Sequence, residues 1–157
     1  MARNKNALRQ HFIAEVPSSG LPTEDDYKLL AQWISDISDD TDENVESTAF
    51  YDGDGTPTSD VTSVAMAWSF EGFYDASNAA QTIIHDMKLD LGEGRKVYHK
   101  IIESSGTKQY EGIATVTDIV AGGGAAEDYE EFSCTITYDK TPTYDDVPTT
   151  SSTTSES

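Results

Sequence analysis

The sequence has 157 residues, with 10 Lys and Arg against 29 Asp and Glu, which gives a formal net charge of −19. This length predicts one domain, with or without tails, that is large enough to bury a hydrophobic core. The charge argues against nucleic-acid binding by phosphate neutralisation and against docking on an anionic membrane, because both need clustered Lys and Arg. The single cysteine, Cys134, excludes an intrachain disulfide framework.

The sequence contains no segment that is typical of membrane insertion or secretion. No stretch approaches the roughly 20 consecutive apolar residues that a spanning helix needs. The polar start, residues 1–10, lacks the apolar centre of a secretory signal. We therefore expect synthesis in the cytoplasm of the producing cell and no membrane partner.

Residues 1–26 are predicted to form an N-terminal arm. They have few apolar positions in any period, and Pro17, Gly20 and Pro22 interrupt them. Residues 27–37 alternate as a strand does, although they also place an apolar stripe at helical spacing. Their Trp, Ile and Tyr residues favour the strand.

A long acidic segment follows. Residues 36–60 contain nine acidic side chains and no basic ones. A glycine-rich turn signal lies within them at residues 52–57. We therefore expect a long, solvated acidic loop, which in a compact domain is usually functional or disordered.

Regular periodicity begins after this loop. Apolar residues recur at every second position over 64–70, which predicts a strand. Over 77–92 they recur at helical spacing, which predicts an amphipathic helix of about four turns. Strand alternation returns over 97–102, 113–120 and 131–139.

These elements predict a mainly β protein. Its antiparallel strands are expected to form a β-sandwich or partly closed barrel, with one α-helix against a face or edge. The β-domain is predicted to span residues 27–142. Residues 143–157, which are mainly Thr, Ser and acids with one Pro, are predicted to form a disordered tail.

The sequence shows no recognisable catalytic or metal-binding motif. His11, His85 and His99 lie at no spacing that links them to a nucleophile or a carboxylate. Cys134 falls on the apolar side of a predicted strand, as an inert core thiol does. The acidic stretch at 52–55 lacks two essential ligands of a calcium loop. We expect a protein that is not an enzyme and holds no cofactor or metal.

Two stretches resemble a known family. They are TSVAMAWSFEGFYD at residues 62–75 and GIATVTDIVAGGGAAEDYEEFSCTITYDKTP at residues 112–142. Together with the helix between them, they look like the major tail protein, the tail tube subunit, of long-tailed, non-contractile phages of Gram-positive hosts. The strand that ends at Thr-Pro is the most specific part, although Thr141 stands where the family often has Gly.

The resemblance implies a structural protein of the virion. Six subunits would close into a ring, and rings would stack through the long loop and the terminal arms. The resulting tube would have an acidic inner wall, through which DNA is ejected into the host. The implied partners are copies of the protein itself, together with the tape measure, terminator and distal tail proteins.

Charged residues are the candidates for these contacts, because opposite charges on facing rings would fix their register. The candidate inter-ring residues are Arg3, Lys5, Arg9, Asp39, Asp40, Asp42, Glu43, Asp52 and Asp54. Carboxylates on the polar faces of strands would keep DNA from adhering to the wall. The candidate lumen residues are Glu111, Asp118, Glu131 and Asp139.

Two other classes of protein remain open at this point. An acidic immunoglobulin-like binding or surface module would share the strands and the Ser/Thr-rich tail. The helix within the strand order and the long acidic loop argue against a plain sandwich of that type. A DNA-mimicking inhibitor would use dense carboxylates to occupy a nucleic-acid site.

Overall fold

The computed structural model describes residues 3–51 and 53–147. Within these residues the chain forms ten strands and one α-helix. In chain order they are β1 Gln10–Glu15, β2 Lys28–Leu29, β3 Ile34–Asp39, β4 Asp42–Thr48, β5 Thr58–Ala65, β6 Ala67–Phe73, α1 Ala79–Asp86, β7 Lys96–Ile102, β8 Lys108–Ala121, β9 Glu131–Tyr138 and β10 Thr143–Asp146.

Eight of the strands form one antiparallel sheet in the order β2-β1-β7-β8-β9-β6-β3, with β10 paired to the first part of β8. The sheet curls into a half-barrel. The mainly β prediction is confirmed, with a partly closed barrel and one helix. Strand β8 has 14 residues and pairs with β7 on one edge and with β9 and β10 on the other.

One face of this sheet, the core face, carries the hydrophobic core. The predicted alternation of β9 is confirmed, because Phe132, Cys134, Ile136 and Tyr138 are all buried while the residues between them are not. Helix α1 packs against β1, β2 and β8 and adds apolar side chains such as Ile84 to the same cluster.

The helix is shorter than its sequence pattern predicts. It has eight residues and begins after Asn78, whose side chain accepts a hydrogen bond from the backbone N–H of Gln81 (3.1 Å). The prediction of about four turns counted Leu91 as part of the apolar stripe. Leu91 is 88% exposed and lies beyond the helix, so this part of the prediction is wrong.

The predicted N-terminal arm and C-terminal tail both contain a strand of the sheet. Strand β1 lies within residues 1–26 and pairs with β7, with Ile13 and Ala14 fully buried. Strand β10 pairs with β8, so the prediction of disorder from residue 143 is wrong for Thr143–Asp146. Both strands are short and contain several polar residues, so neither shows a clear apolar alternation. They form strands because they pair with the longer strands β7 and β8. Residues 148–157 lie outside the described residues.

The acidic segment is not a loop over its whole length. Strands β4 and β5 form an antiparallel hairpin, and only the residues between Thr48 and Thr58 connect them. Strands β4 and β5 lack the apolar alternation that predicts a strand, because acidic and other polar side chains occupy most of their positions. The strand prediction over 27–37 holds only in part, because β2 and β3 are separated by a turn at Trp33.

A pair of histidines is buried in the core. His11 on β1 and His99 on β7 are both at most 1% exposed, with His11 Nδ1 3.2 Å from His99 Nε2. Burial and the nearby Arg9 lower the pKa of His11 to about 3. Burial and the adjacent His11 lower the pKa of His99 well below its ordinary value. The pair is therefore neutral in the folded protein at neutral pH.

This pair predicts that the protein loses stability in mild acid. Below the ordinary histidine pKa of 6.5, His11 and His99 become protonated in the unfolded chain but stay neutral in the folded chain. Each histidine then raises the unfolding equilibrium constant by up to about tenfold per pH unit. Urea unfolding followed by circular dichroism is expected to show a lower midpoint near pH 5.5 than near pH 7.5 (approximate values above the main carboxylate range).

The exposed His85 provides a matched control. The variant His85→Gln should keep the wild-type pH dependence, whereas His11→Leu or His99→Leu should reduce it. Equal midpoints at the two pH values in the wild-type protein would contradict the prediction.

Candidate functional site

The potentially reactive side chains are separated in the structure. His85 lies on α1, 3.2 Å from its neighbour Asp86, while the other two histidines form the core pair. Among the described residues, no group of three or more His, Cys, Asp and Glu is arranged to hold a metal ion. Within the same part of the chain, none of the helices has the length and apolar character to span a membrane.

Cys134 is buried on β9, and burial raises the pKa of its thiol to about 12. We therefore predict that the folded protein reacts with iodoacetamide far more slowly than the unfolded chain, because the thiolate is the reacting species. Mass spectrometry of the alkylated protein, with and without urea, checks this. Equal alkylation rates in the two conditions would show that Cys134 is accessible.

The β4–β5 hairpin stands apart from the rest of the protein. Every residue of both strands is exposed, and the two strands contact each other far more than they contact any other element. The register divides the hairpin into two faces. Val45, Val61 and Val64 share one face, which we call the valine face, and each is about half exposed: 52%, 55% and 48%. The opposite face carries acidic and polar side chains such as Glu46 and Asp60.

Among the described residues, no element covers the valine face of this hairpin. An isolated two-stranded hairpin is marginally stable in water. A contiguous apolar patch rimmed by polar residues marks an interaction surface on a soluble protein. No sequence pattern predicts the valine face. Val45 is the one apolar residue of β4, and Val61 and Val64 are three positions apart on β5, across a bulge.

The acidic candidates for inter-ring contact lie along and below this hairpin. Asp39 accepts a hydrogen bond from the Thr41 N–H (2.9 Å), and Asp40 accepts one from the Ser69 hydroxyl, so both are tied to the hairpin base. Asp42 and Glu43 are exposed on opposite faces of β4.

The tip of the hairpin carries the remaining two acidic candidates. Asp54 accepts a hydrogen bond from the Thr56 N–H (2.9 Å), and hydrogen bonds from Thr56 hold the pKa of this carboxyl below its ordinary value. Its charge is therefore maintained in mild acid. Asp52 lies outside the described residues.

The basic candidates divide into two kinds. Arg9 is half-buried, with its guanidinium 3.8 Å from Glu103 and 5.8 Å from the centroid of the Trp68 ring. It is therefore held against the main sheet of the protein. Arg3 and Lys5 are exposed. Among the described residues, neither of them forms an ion pair with the hairpin acids.

The sheet face opposite the core, which we call the outer face, is polar over its central strands. Ser69, Thr135 and Thr117 lie directly opposite one another in the register of β6, β9 and β8. Thr137 and Thr115 form the next row. These hydroxyls are half-buried or exposed, because neither α1 nor another described element covers them.

Three of the lumen candidates lie on the outer face or at its ends. Asp118 is exposed at a bulge of β8, with a φ of 53°, and lines a shallow depression with Ser133 and Thr135. Glu131 is exposed at the start of β9. Asp139 lies 2.6 Å from Lys96 Nζ, so its charge is neutralised within the same chain.

The fourth lumen candidate, Glu111, has a different environment. Its carboxylate accepts a hydrogen bond from the Tyr27 hydroxyl (2.6 Å) and is half-buried. Burial and this hydrogen bond raise the pKa of Tyr27 above its ordinary value. Tyr27 also lies over Lys100, whose Nζ is 4.4 Å from the ring centroid. Glu111 therefore belongs to a local contact that attaches Tyr27 to the sheet.

Comparison with known proteins identifies the fold. No protein-family model matches the chain, and no curated protein matches it significantly. A chain from the tail of an empty gene transfer agent particle, which has C6 symmetry, is similar with a TM-score of 0.62 at 12% identity, over 91% of this chain and 98% of that one.

Two further structures agree. A chain from the virion of a native gene transfer agent particle has a TM-score of 0.63 at 9% identity, covering 94% of this chain and 100% of that one. A chain from the tube-terminating cap of the anti-feeding prophage has a TM-score of 0.53 at 13% identity, over 94% and 93% of the two chains. The protein therefore has a fold found in the tails and tubes of phage-like particles.

Proposed function

We propose that this protein is a structural subunit of a tail tube, with six copies in each ring and a channel through which DNA is ejected. The observation that carries the proposal is the half-barrel fold, shared over nearly the full length of a chain from a C6-symmetric tail. It is supported by the surfaces that the subunit leaves uncovered. The location that follows is the tail of a virion, with other tail proteins as its partners.

The finer assignment follows from the sequence resemblance. On this basis the tube belongs to the long, non-contractile tail of a phage of Gram-positive hosts. Its other proposed partners are the tape measure, terminator and distal tail proteins. The synthesis of the subunit in the host cytoplasm belongs to the same proposal.

Ring closure gives the open sheet edges their partners. Strand β3 pairs only with β6, so its other edge has free backbone N–H and C=O groups within the described chain. Exposed edges favour aggregation unless they are paired, covered or charged. Half-barrels placed side by side around an axis join such edges into one continuous wall. A heterologous contact that closes in this way produces a ring.

The outer face of β6, β9 and β8 is the proposed channel wall. It carries hydroxyls together with the carboxylates of Glu71 and Asp118. At its margin Lys96 is paired with Asp139, and Lys100 is buried under the Tyr27 ring. Lys140 is exposed just after β9. Phosphates along the central rows therefore meet hydroxyls and carboxylates, which disfavours adhesion by counterion release. The repulsion acts over about 8 Å at physiological salt.

Stacking of the rings is assigned to the hairpin. Complete burial of a valine contributes about 1.5–3 kcal/mol, so burying the exposed half of each side chain on the valine face contributes about 1 kcal/mol. Three such residues per subunit, repeated around a ring, supply an apolar attraction that offsets repulsion between acidic copies. The exposed bases Arg3 and Lys5 add attraction to acidic neighbours.

The valine face predicts a specific assembly defect. The variant Val61→Asp is expected to remain folded, because this side chain does not touch the core, but to form no tubes at high concentration by negative-stain microscopy. The matched control, Ser63→Asp, adds the same charge to the same strand on the opposite face and should assemble. Tubes from the valine-face variant equal to those of the wild type would contradict the role of this face.

The polar and acidic outer face predicts whether assembled tubes retain DNA. Wild-type tubes are expected not to retain linear DNA, whereas Thr117→Lys/Thr135→Lys tubes should retain it in a salt-dependent manner. A pelleting assay with labelled DNA measures this. The control Leu89→Lys/Leu91→Lys places the same added charge on exposed positions after α1 and should retain less. Equal retention by the two variants would remove these strands from the channel wall.

A further inference from the structure

An open groove with aromatic walls lies where β6 ends. It encloses about 600 Å³. Trp33, Phe73 and Tyr129 form its walls, and the carboxylates of Asp75, Asp128 and Glu130 lie around them. We call this site the aromatic groove. Neither the candidate contacts along the hairpin nor the proposed channel wall includes it.

The aromatic residues of the groove are held in place although solvent surrounds them. Trp33 is 54% exposed and has a φ of 67°, a strained value for a residue with a Cβ. The Trp33 indole N–H donates to Asp75 (2.9 Å), and the Trp33 carbonyl accepts a hydrogen bond from the Phe73 N–H (2.9 Å). A Cβ on Gly72 would lie 2.1 Å from the Trp33 carbonyl oxygen, so only glycine permits this approach.

Such strain at an exposed aromatic residue is typical of a binding site. Tyr129, which is 82% exposed, stands at a ring-centroid distance of 6.0 Å from Phe73 in an edge-to-face arrangement. Aromatic faces next to carboxylates attract a cation with an aliphatic stem, since the ring and the acid both stabilise the charge. The groove therefore fits Lys or Arg together with an apolar neighbour.

Six of the ten Lys and Arg residues in the chain are already engaged, among them Lys28, which donates to the backbone carbonyl of Asp25. Arg9, Lys96 and Lys108 form ion pairs. Arg95 donates to three backbone carbonyls, and Lys100 lies under the Tyr27 ring. Lys88 and Lys140 are exposed single cations, far from each other in the sequence.

Residues 3–8, which we call the basic segment, present two exposed cations close together. They are Arg3 and Lys5, and they are followed by Leu8, which is 56% exposed. The basic segment therefore combines the charge and the apolar side chain that the groove fits.

The basic segment of the same chain is held elsewhere. Asn4 donates to the Ser104 hydroxyl (3.1 Å) in the turn between β7 and β8, and Arg9 pairs with Glu103 in that turn. None of these residues lines the aromatic groove. The segment and the groove are thus two different surfaces of one subunit, and the charge of each complements the other.

We infer that the aromatic groove is a docking site for the basic segment of a second copy of this chain. The inference rests on the proposed self-assembly and names one of its contacts. Because donor and acceptor surfaces differ, the contact is heterologous and continues from copy to copy. Arg3 and Lys5 then lie against the groove carboxylates, and Leu8 packs on the exposed rings.

Tryptophan fluorescence tests this directly, because the protein has two tryptophans, of which Trp33 is exposed and Trp68 is 9% exposed. A synthetic peptide of residues 1–9, which contains no tryptophan, is titrated into the full-length protein, and quenching of the emission by acrylamide is measured. We expect the peptide to protect Trp33 from quenching. A peptide with Arg3→Glu and Lys5→Glu should bind at least about tenfold more weakly, a loss of about 1.4 kcal/mol.

The second part of the experiment uses variants of the protein. Asp128→Asn/Glu130→Gln removes two groove charges and should weaken peptide binding, whereas the matched control Glu24→Gln/Asp25→Asn removes two exposed charges elsewhere and should not. An unchanged quenching curve, equal binding of the charge-reversed peptide, or equal effects of the two protein variants would overturn the inference.

Tube formation by the full-length protein is scored separately by microscopy. Tubes without peptide binding overturn the docking site and leave the proposed function standing. Peptide binding that depends on Arg3, Lys5 and the groove carboxylates supports the docking site, even in a preparation that contradicts the proposed function by forming no tubes.

Discussion

A single curled sheet buries only one of its faces, and the rest of the structure follows from this constraint. Strand β8 pairs with β7, β9 and β10 in the half-barrel. Helix α1 covers the core face and contributes Ile84 to the core. No helix of the described chain covers the outer face or the β4–β5 hairpin in this way. The protein therefore has a complete core and leaves these two surfaces uncovered, as the proposed assembly from identical copies requires.

The net charge of −19 limits how those surfaces are completed. Contacts between acidic copies repel unless apolar burial or local cations offset the repulsion. The two uncovered apolar features, the valine face and the aromatic groove, provide burial. The basic segment supplies cations that are not used within the subunit. On the outer face Glu71 and Asp118 have no basic partner among the described residues, and this is the property that a DNA channel needs.

Sequence patterns predicted the fold class and most of the core, because strands such as β9 alternate cleanly and β-branched residues fill them. They did not predict β1 or β10, whose pairing with longer strands decides their structure. The candidate site was predicted only by charge. The valine face has no alternating pattern in the sequence, and the contact between Glu111 and Tyr27 joins residues that are 84 positions apart. The groove depends on the unusual backbone of Trp33, which no periodicity reveals.

The most direct measurement is a cryo-electron microscopy reconstruction of the full-length protein assembled at high concentration. It is expected to show rings in which strands of neighbouring subunits pair into one barrel, with Ser69, Thr117 and Thr135 facing an axial channel. A reconstruction in which each subunit is self-contained, with no strand pairing between neighbours, would contradict the tail tube proposal. A channel lined by Lys and Arg would contradict it equally.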